Sequence, residues 1–143
     1  MTFGPPGSSG ARITDISTVG KVLDTFQKFG YDELDTARGY CDEQEEGFIT
    51  KAGWKERGMK MGTKAYPLQP GYHSASKLRE TVEKSLSELK TDKIHIYYLH
   101  APDYGTPLAD TVKAMDDLYK EGKFEHFGIS NFAVSSLLVN LLR

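Results

Sequence analysis

The chain has 143 residues, 38% of them hydrophobic and 27% charged, with a formal net charge of −2. That length suits one globular domain, and that charge gives no electrostatic case for nucleic acid or an acidic membrane. No apolar run approaches the ~20 residues that span a bilayer, and the opening MTFGPPGSSGAR lacks the pattern of a secretory leader. The single cysteine, Cys41, rules out an internal disulfide, so the cytoplasm is the expected compartment.

In chain order, residues 1–3 read as the end of a strand and residues 4–10 as a glycine-rich loop. That loop lacks the lysine and the spacing of a phosphate-binding loop. From Asp15 onward, Val19, Val22, Leu23 and Phe26 recur at helical spacing, and Gly30 stands where a helix C-terminal glycine belongs. Residues 31–35, YDELD, read as a short strand. Residues 43–57 read as a polar helix closed by Gly58, with the acidic run 42–46 as its solvated start. Residues 59–64 form the next strand candidate and 65–73 a loop with two prolines. Ser74 or Ser76 can then cap a helix whose face is Leu78, Val82, Leu86 and Leu89. KIHIYYL, 93–99, carries the strongest strand signal in the chain. Thr106 followed by Pro107 predicts a capped helix with Leu108, Val112, Met115 and Tyr119 on one face, ended by Gly122. Residues 123–130 read as another strand and 133–143 as a last helical stretch.

Strand and helix thus alternate five times, which implies a parallel sheet. An open doubly wound sheet and a (β/α)8 barrel both fit, and both gather chemistry at the C-terminal ends of their strands. A polar group stands at each of those ends: Asp35, Lys64, His100 and then Ser130–Asn131. With Tyr40 they can converge on one cleft and support proton transfer from a phenol. A free tyrosine, with a pKa near ~10, is a reluctant acid. An ammonium ~4 Å away at an effective dielectric of ~20 is worth about 4 kcal/mol, or roughly three pKa units. Lys64 is therefore expected to draw Tyr40 towards neutrality, Asp35 to hold the lysine, and His100 to polarise a carbonyl. A carbonyl reduced in this way needs a hydride, for which a nicotinamide is the usual source. His73, His95 and His126 are scattered and lack metal-ligand spacing, so no metal is expected.

DTARGY at 35–40 resembles the Asp-x-Ala-x-x-Tyr signature of the aldo-keto reductases. GTKAYP around Lys64, YYLHAPD around His100 and GISNF around Ser130–Asn131 are similar to that family's next three signatures, in order. YLHAPD and GKFxxFGISNF look most like its aflatoxin aldehyde reductase branch. The resemblance implies a TIM barrel that uses NADPH to reduce aldehydes or ketones to alcohols. It implies Tyr40 as proton donor, tuned by Lys64 and Asp35, and His100 as the group orienting the small-molecule carbonyl substrate. Ser130 and Asn131, with Asp35 nearby, would hold the nicotinamide amide. Such barrels take ~250 residues, so residues 1–143 are expected to be a single partial barrel domain, its first five βα units. Two sheet edges, at 1–3 and 123–130, would then be open to self-association, homodimers included. A catalytically silent binding module of the same fold is the alternative reading.

Overall fold

The structure is a computed structural model, and it describes residues 2–133. Its elements in chain order are α1 (Ile16–Lys28), β1 (Glu33–Asp35), α2 (Glu45–Lys51), β2 (Lys60–Ala65), α3 (Ala75–Leu89), β3 (Ile94–Leu99), α4 (Leu108–Lys120) and β4 (Phe124–Ile129). Among the described residues the sheet has four strands in the order β1-β2-β3-β4. All three neighbouring pairs are parallel, the outcome that strict alternation demands. No helix among these residues is long and apolar enough to cross a membrane.

The α1 N-terminus forms as its sequence predicts: the Asp15 carboxylate accepts from the Thr18 backbone N–H at 2.7 Å. Gly30 then follows the helix at φ +86°, a conformation that favours glycine. Val19 and Leu23 are buried and Phe26 partly so, while Val22 is exposed. The whole expected face of α3 is buried. In α4 the buried face is Thr111, Ala114, Met115 and Leu118, whereas Val112 and Tyr119 are exposed. Pro107 rather than Thr106 occupies the cap position, and the Thr106 hydroxyl instead donates to Asp103 at 2.7 Å.

Three expectations are corrected. The strand end at 1–3 is only an isolated bridge between Phe3 and Ile13. The Thr2 and Phe3 N–H groups, which a ladder would need, donate to the Glu45 carboxylate at 3.2 and 3.4 Å. The open edge on that side, among the described residues, is therefore β1. The helix expected over 43–57 is shortened to α2, followed by turns. Gly53 and Gly58 both have positive φ, and the Arg57 guanidinium takes up the Ala52 and Gly53 carbonyls at 2.6 and 2.9 Å. The acidic run is not a solvated start either: Glu45 and Glu46 are buried. The last helical stretch falls, beyond Ala133, outside the described residues.

Candidate active site

Parallel register aligns the strand ends. Asp35 pairs with Gly62, Lys64 with Tyr98, and Leu99 with Ile129. His100 and Ser130 therefore leave β3 and β4 side by side. The Ser130 N–H donates to the Leu99 carbonyl at 2.9 Å. Asn131, at φ +61°, turns the chain and donates from Nδ2 to the His100 carbonyl at 2.8 Å and to Ser130 Oγ at 3.0 Å.

Lys64 is the hinge of the cluster. Its ammonium donates to Asp35 Oδ1 at 2.6 Å and to the Thr36 carbonyl at 2.8 Å. It also lies 5.4 Å from the ring centroids of both Tyr40 and Tyr98, within cation–π range. The lysine side chain is 8% exposed and the Asp35 side chain 64%. Tyr40 meets the His100 ring edge to face, with centroids 5.5 Å apart. Tyr66 packs on the same imidazole at 5.2 Å. The structure thus brings Asp35, Tyr40, Lys64 and His100 together, with Ser130 and Asn131 at their margin.

One electrostatic expectation is reversed. Burial pushes the Tyr40 phenol above its ordinary range, and the carboxylates of Asp35 and Glu45 push the same way. The Lys64 charge is already matched by Asp35, so little of its field is left to draw the phenol down. Tyr40 therefore holds its proton across the neutral range. Burial also lowers the His100 pKa, the Lys64 ammonium lowers it further, and Asp35 opposes both. His100 is accordingly a neutral imidazole at pH 7. Its Nδ1 is buried with no hydrogen-bond partner among the described residues, a costly state for a polar atom.

Sequence reading missed several residues that build this site. Tyr98 lies under Lys64, and Gly128 makes room for it: a Cβ on Gly128 would stand 2.1 Å from the Tyr98 ring. Tyr40 is followed by Cys41, Asp42 and Glu43, all at φ between 51° and 65°. Left-handed backbone costs roughly 1–2 kcal/mol per residue, and tertiary contacts hold this turn in place. Arg38 donates to the Glu43 carbonyl, the Asp42 carboxylate accepts from the Ser9 N–H at 2.7 Å, and Lys84 pairs with Glu43 at 2.9 Å. Three consecutive non-glycine residues in that conformation leave no mark in sequence pattern.

A parallel α/β sheet with a Tyr–Lys–Asp–His cluster beyond its strand ends invites comparison with known proteins. The aldo/keto reductase family matches residues 4–139. An aldo-keto reductase of Pseudocercospora fijiensis is 40% identical over 116 residues, 78% of this chain and 39% of that protein. Aflatoxin B1 aldehyde reductase member 2 of Rattus norvegicus is 36% identical over 126 residues, 85% of this chain and 34% of that protein. Among solved structures, an aldo-keto reductase from Klebsiella pneumoniae in complex with NADPH superposes with a TM-score of 0.77 at 28% identity, covering 89% of this chain and 44% of that one. The chain belongs to the aldo/keto reductase family. It spans well under half the length of these curated relatives, and its fold matches part of the family's barrel.

Proposed function

We propose that the chain carries the proton-transfer machinery of an NADPH-dependent reductase that converts small aldehydes or ketones to alcohols, and that residues 1–143 are one partial barrel domain working in the cytoplasm. The observation that carries this is the convergence of four side chains. Lys64 is paired to Asp35 at 2.6 Å, its ammonium lies 5.4 Å from the Tyr40 ring, and Tyr40 stands edge-on to His100 at 5.5 Å. The comparisons support the cofactor: Klebsiella pneumoniae relatives were solved in complex with NADPH and with NADP and acetate.

The residues present fit the nicotinamide end of that cofactor. Asn131, anchored through Nδ2, keeps its side-chain carbonyl as an acceptor for a carboxamide N–H, and the Ser130 hydroxyl is both donor and acceptor. A nicotinamide held by Ser130 and Asn131 would be the hydride source for the carbonyl carbon. Tyr40 supplies the proton to the carbonyl oxygen as the alcohol forms, and regains it from solvent. Lys64 stabilises the phenolate left behind, and Asp35 fixes Lys64. His100, neutral, holds a single ring proton with which to hold the carbonyl oxygen.

The silent-binding alternative draws on the chain's span, 39% and 34% of the length of the curated relatives it matches. Turnover of NADPH with an aromatic aldehyde separates the two readings. Tyr40→Phe should lower kcat roughly 10²-fold or more while leaving NADPH affinity nearly unchanged. A variant with near-wild-type kcat would remove Tyr40 as the acid, and cofactor binding without turnover in the wild type would favour the silent reading. Self-association belongs to the same proposal. β4 is an edge strand among the described residues with Phe127 and Ile129 exposed, so light scattering should show dimers or larger species rather than a monomer.

A further inference from the structure

The other end of the same strands carries a cluster that carbonyl reduction does not use. His95 is the second residue of β3, and Glu125 and His126 are the second and third of β4. Parallel pairing sets Ile94 opposite Phe124 and Ile96 opposite His126, so the three residues stand at one level of two neighbouring strands. His95 Nδ1 lies 2.8 Å from Glu125 Oε2. The His95 and His126 rings meet edge to face with centroids 5.0 Å apart. One ligand atom from each of the three residues lies within 4.8 Å of the others. Sequence spacing concealed this: His95 and His126 are not scattered in space, because their proximity comes from strand register across a whole βα unit.

We propose that His95, Glu125 and His126 form a binding site for a zinc-class divalent cation, which clamps β3 to β4 at the amino-terminal end of the sheet. Two imidazoles and a carboxylate are the donor set such ions favour, with water completing a tetrahedron. Tetrahedral ligand atoms about 2.0–2.1 Å from zinc stand roughly 3.4 Å apart. The His95–Glu125 contact, at 2.8 Å, needs to open by about 0.6 Å to reach that spacing, and a separation of 4.8 Å needs to close by about 1.4 Å. Rotamer adjustments of the exposed Glu125 and His126 side chains cover both.

Glu33 adds a supporting feature. Its carboxylate lies 3.9 Å from His95 Nε2, so a metal on Nδ1 leaves the other ring nitrogen facing a carboxylate that can orient the imidazole. A plain His95–Glu125 ion pair has no use for the second imidazole. One bridging cation would engage both imidazoles and Glu125 at once. Access is open, since the Glu125 side chain is 47% exposed and that of His95 18%. Five residues of strand, about 16 Å, separate His95 from His100, so the ion clamps structure and stays clear of the carbonyl.

The test is calorimetric titration of zinc chloride into the chelator-treated chain at neutral pH. One ion per chain should bind with micromolar or tighter affinity. His126→Gln and Glu125→Gln should each weaken it roughly tenfold or more, and His100→Gln should leave it unchanged. Zinc should raise the melting temperature of the wild type but not of His126→Gln, and cobalt(II) should give the visible absorption of a tetrahedral site. Circular dichroism checks each variant's fold; if His126→Gln loses it, the milder Glu125→Gln decides. Binding only at millimolar zinc, or binding untouched by both substitutions, would overturn the site.

Discussion

Two ion pairs flank Tyr40, alike in chemistry and opposite in setting. Lys64 pairs with Asp35, whose side chain is 64% exposed. Arg38 pairs with Glu46, and both are out of solvent, Glu46 completely. The difference separates two uses of charge. The Asp35 carboxylate keeps a face to water, so a ligand can approach the Lys64 ammonium without breaking a sealed network. Glu46 is closed in by Arg38 and by the Thr63 hydroxyl at 2.6 Å. That pair fixes the left-handed turn behind Tyr40 and contributes nothing to chemistry directly. Arg38 is thus a positioning residue, even though it lies inside the DTARGY run that carries Asp35 and Tyr40.

The sharpest way to break the comparison is to remove Arg38. Arg38→Leu leaves Glu46 buried without its cation and should cost about 3–5 kcal/mol in urea unfolding. Adding Glu46→Leu should recover much of that loss, because the stranded charge is then gone. The deficit should also depend on pH. Burial holds the Glu46 pKa above its ordinary 4.5, against the opposing pull of Arg38 and the Thr63 hydroxyl. Above that ordinary value the unfolded chain releases its proton while folded Glu46 keeps it, so this group's contribution falls as pH rises towards the folded value. Without Arg38 the folded pKa climbs further, and the variant should lose most stability at neutral pH and regain part of it in acid. A pH-independent deficit would mean that Arg38 acts through packing alone.

Breaking the other pair should do the reverse. Lys64→Met leaves Asp35 largely solvated, so the stability change should stay near ~1 kcal/mol. Turnover should fall by roughly 10²-fold, because the phenolate left on Tyr40 loses its counter-charge. A large loss of stability with little loss of kcat would show that the two pairs play the same part.

Much of this contrast was hidden in the sequence, for physical reasons. Periodicity exposed α3, because a helix that buries one continuous stripe repeats its apolar residues faithfully. The strand-end series Asp35, Lys64, His100, Ser130 was legible because parallel βα units repeat the same position. Glu45 and Glu46 were not, since an acidic run reads as solvated unless its partners are known. Those partners, Thr36 and Thr63 hydroxyls and the Arg38 guanidinium, sit up to 17 residues away. Gly128 likewise means nothing until Tyr98 is seen lying across it.

The smallest effect expected sharpens the comparison with a third carboxylate, one held by neutral donors alone. Asp103, three residues past His100, accepts from the backbone N–H groups of Gly71, His73 and Gly105 and from the Thr106 hydroxyl, at 2.7–3.1 Å. Burial opposes ionisation there, yet these donors hold the carboxyl at about 2, against an ordinary 3.8. A lowered folded pKa stabilises the native state above the unfolded value, and that contribution disappears as pH falls from 3.8 towards 2. Allowing for solvent screening, it is on the order of 1–2 kcal/mol. Asp103→Asn should therefore destabilise the chain by about that amount at pH 7 and by progressively less between pH 4 and 2, measured by urea unfolding across that range. Asn can still accept, so the loss that remains at pH 2 reports geometry and the part that vanishes reports charge. A deficit constant from pH 7 to pH 2 would show that the loop after His100 needs the geometry of the Asp103 carboxyl and not its charge, and that charge matters in this fold only where it faces a second charge.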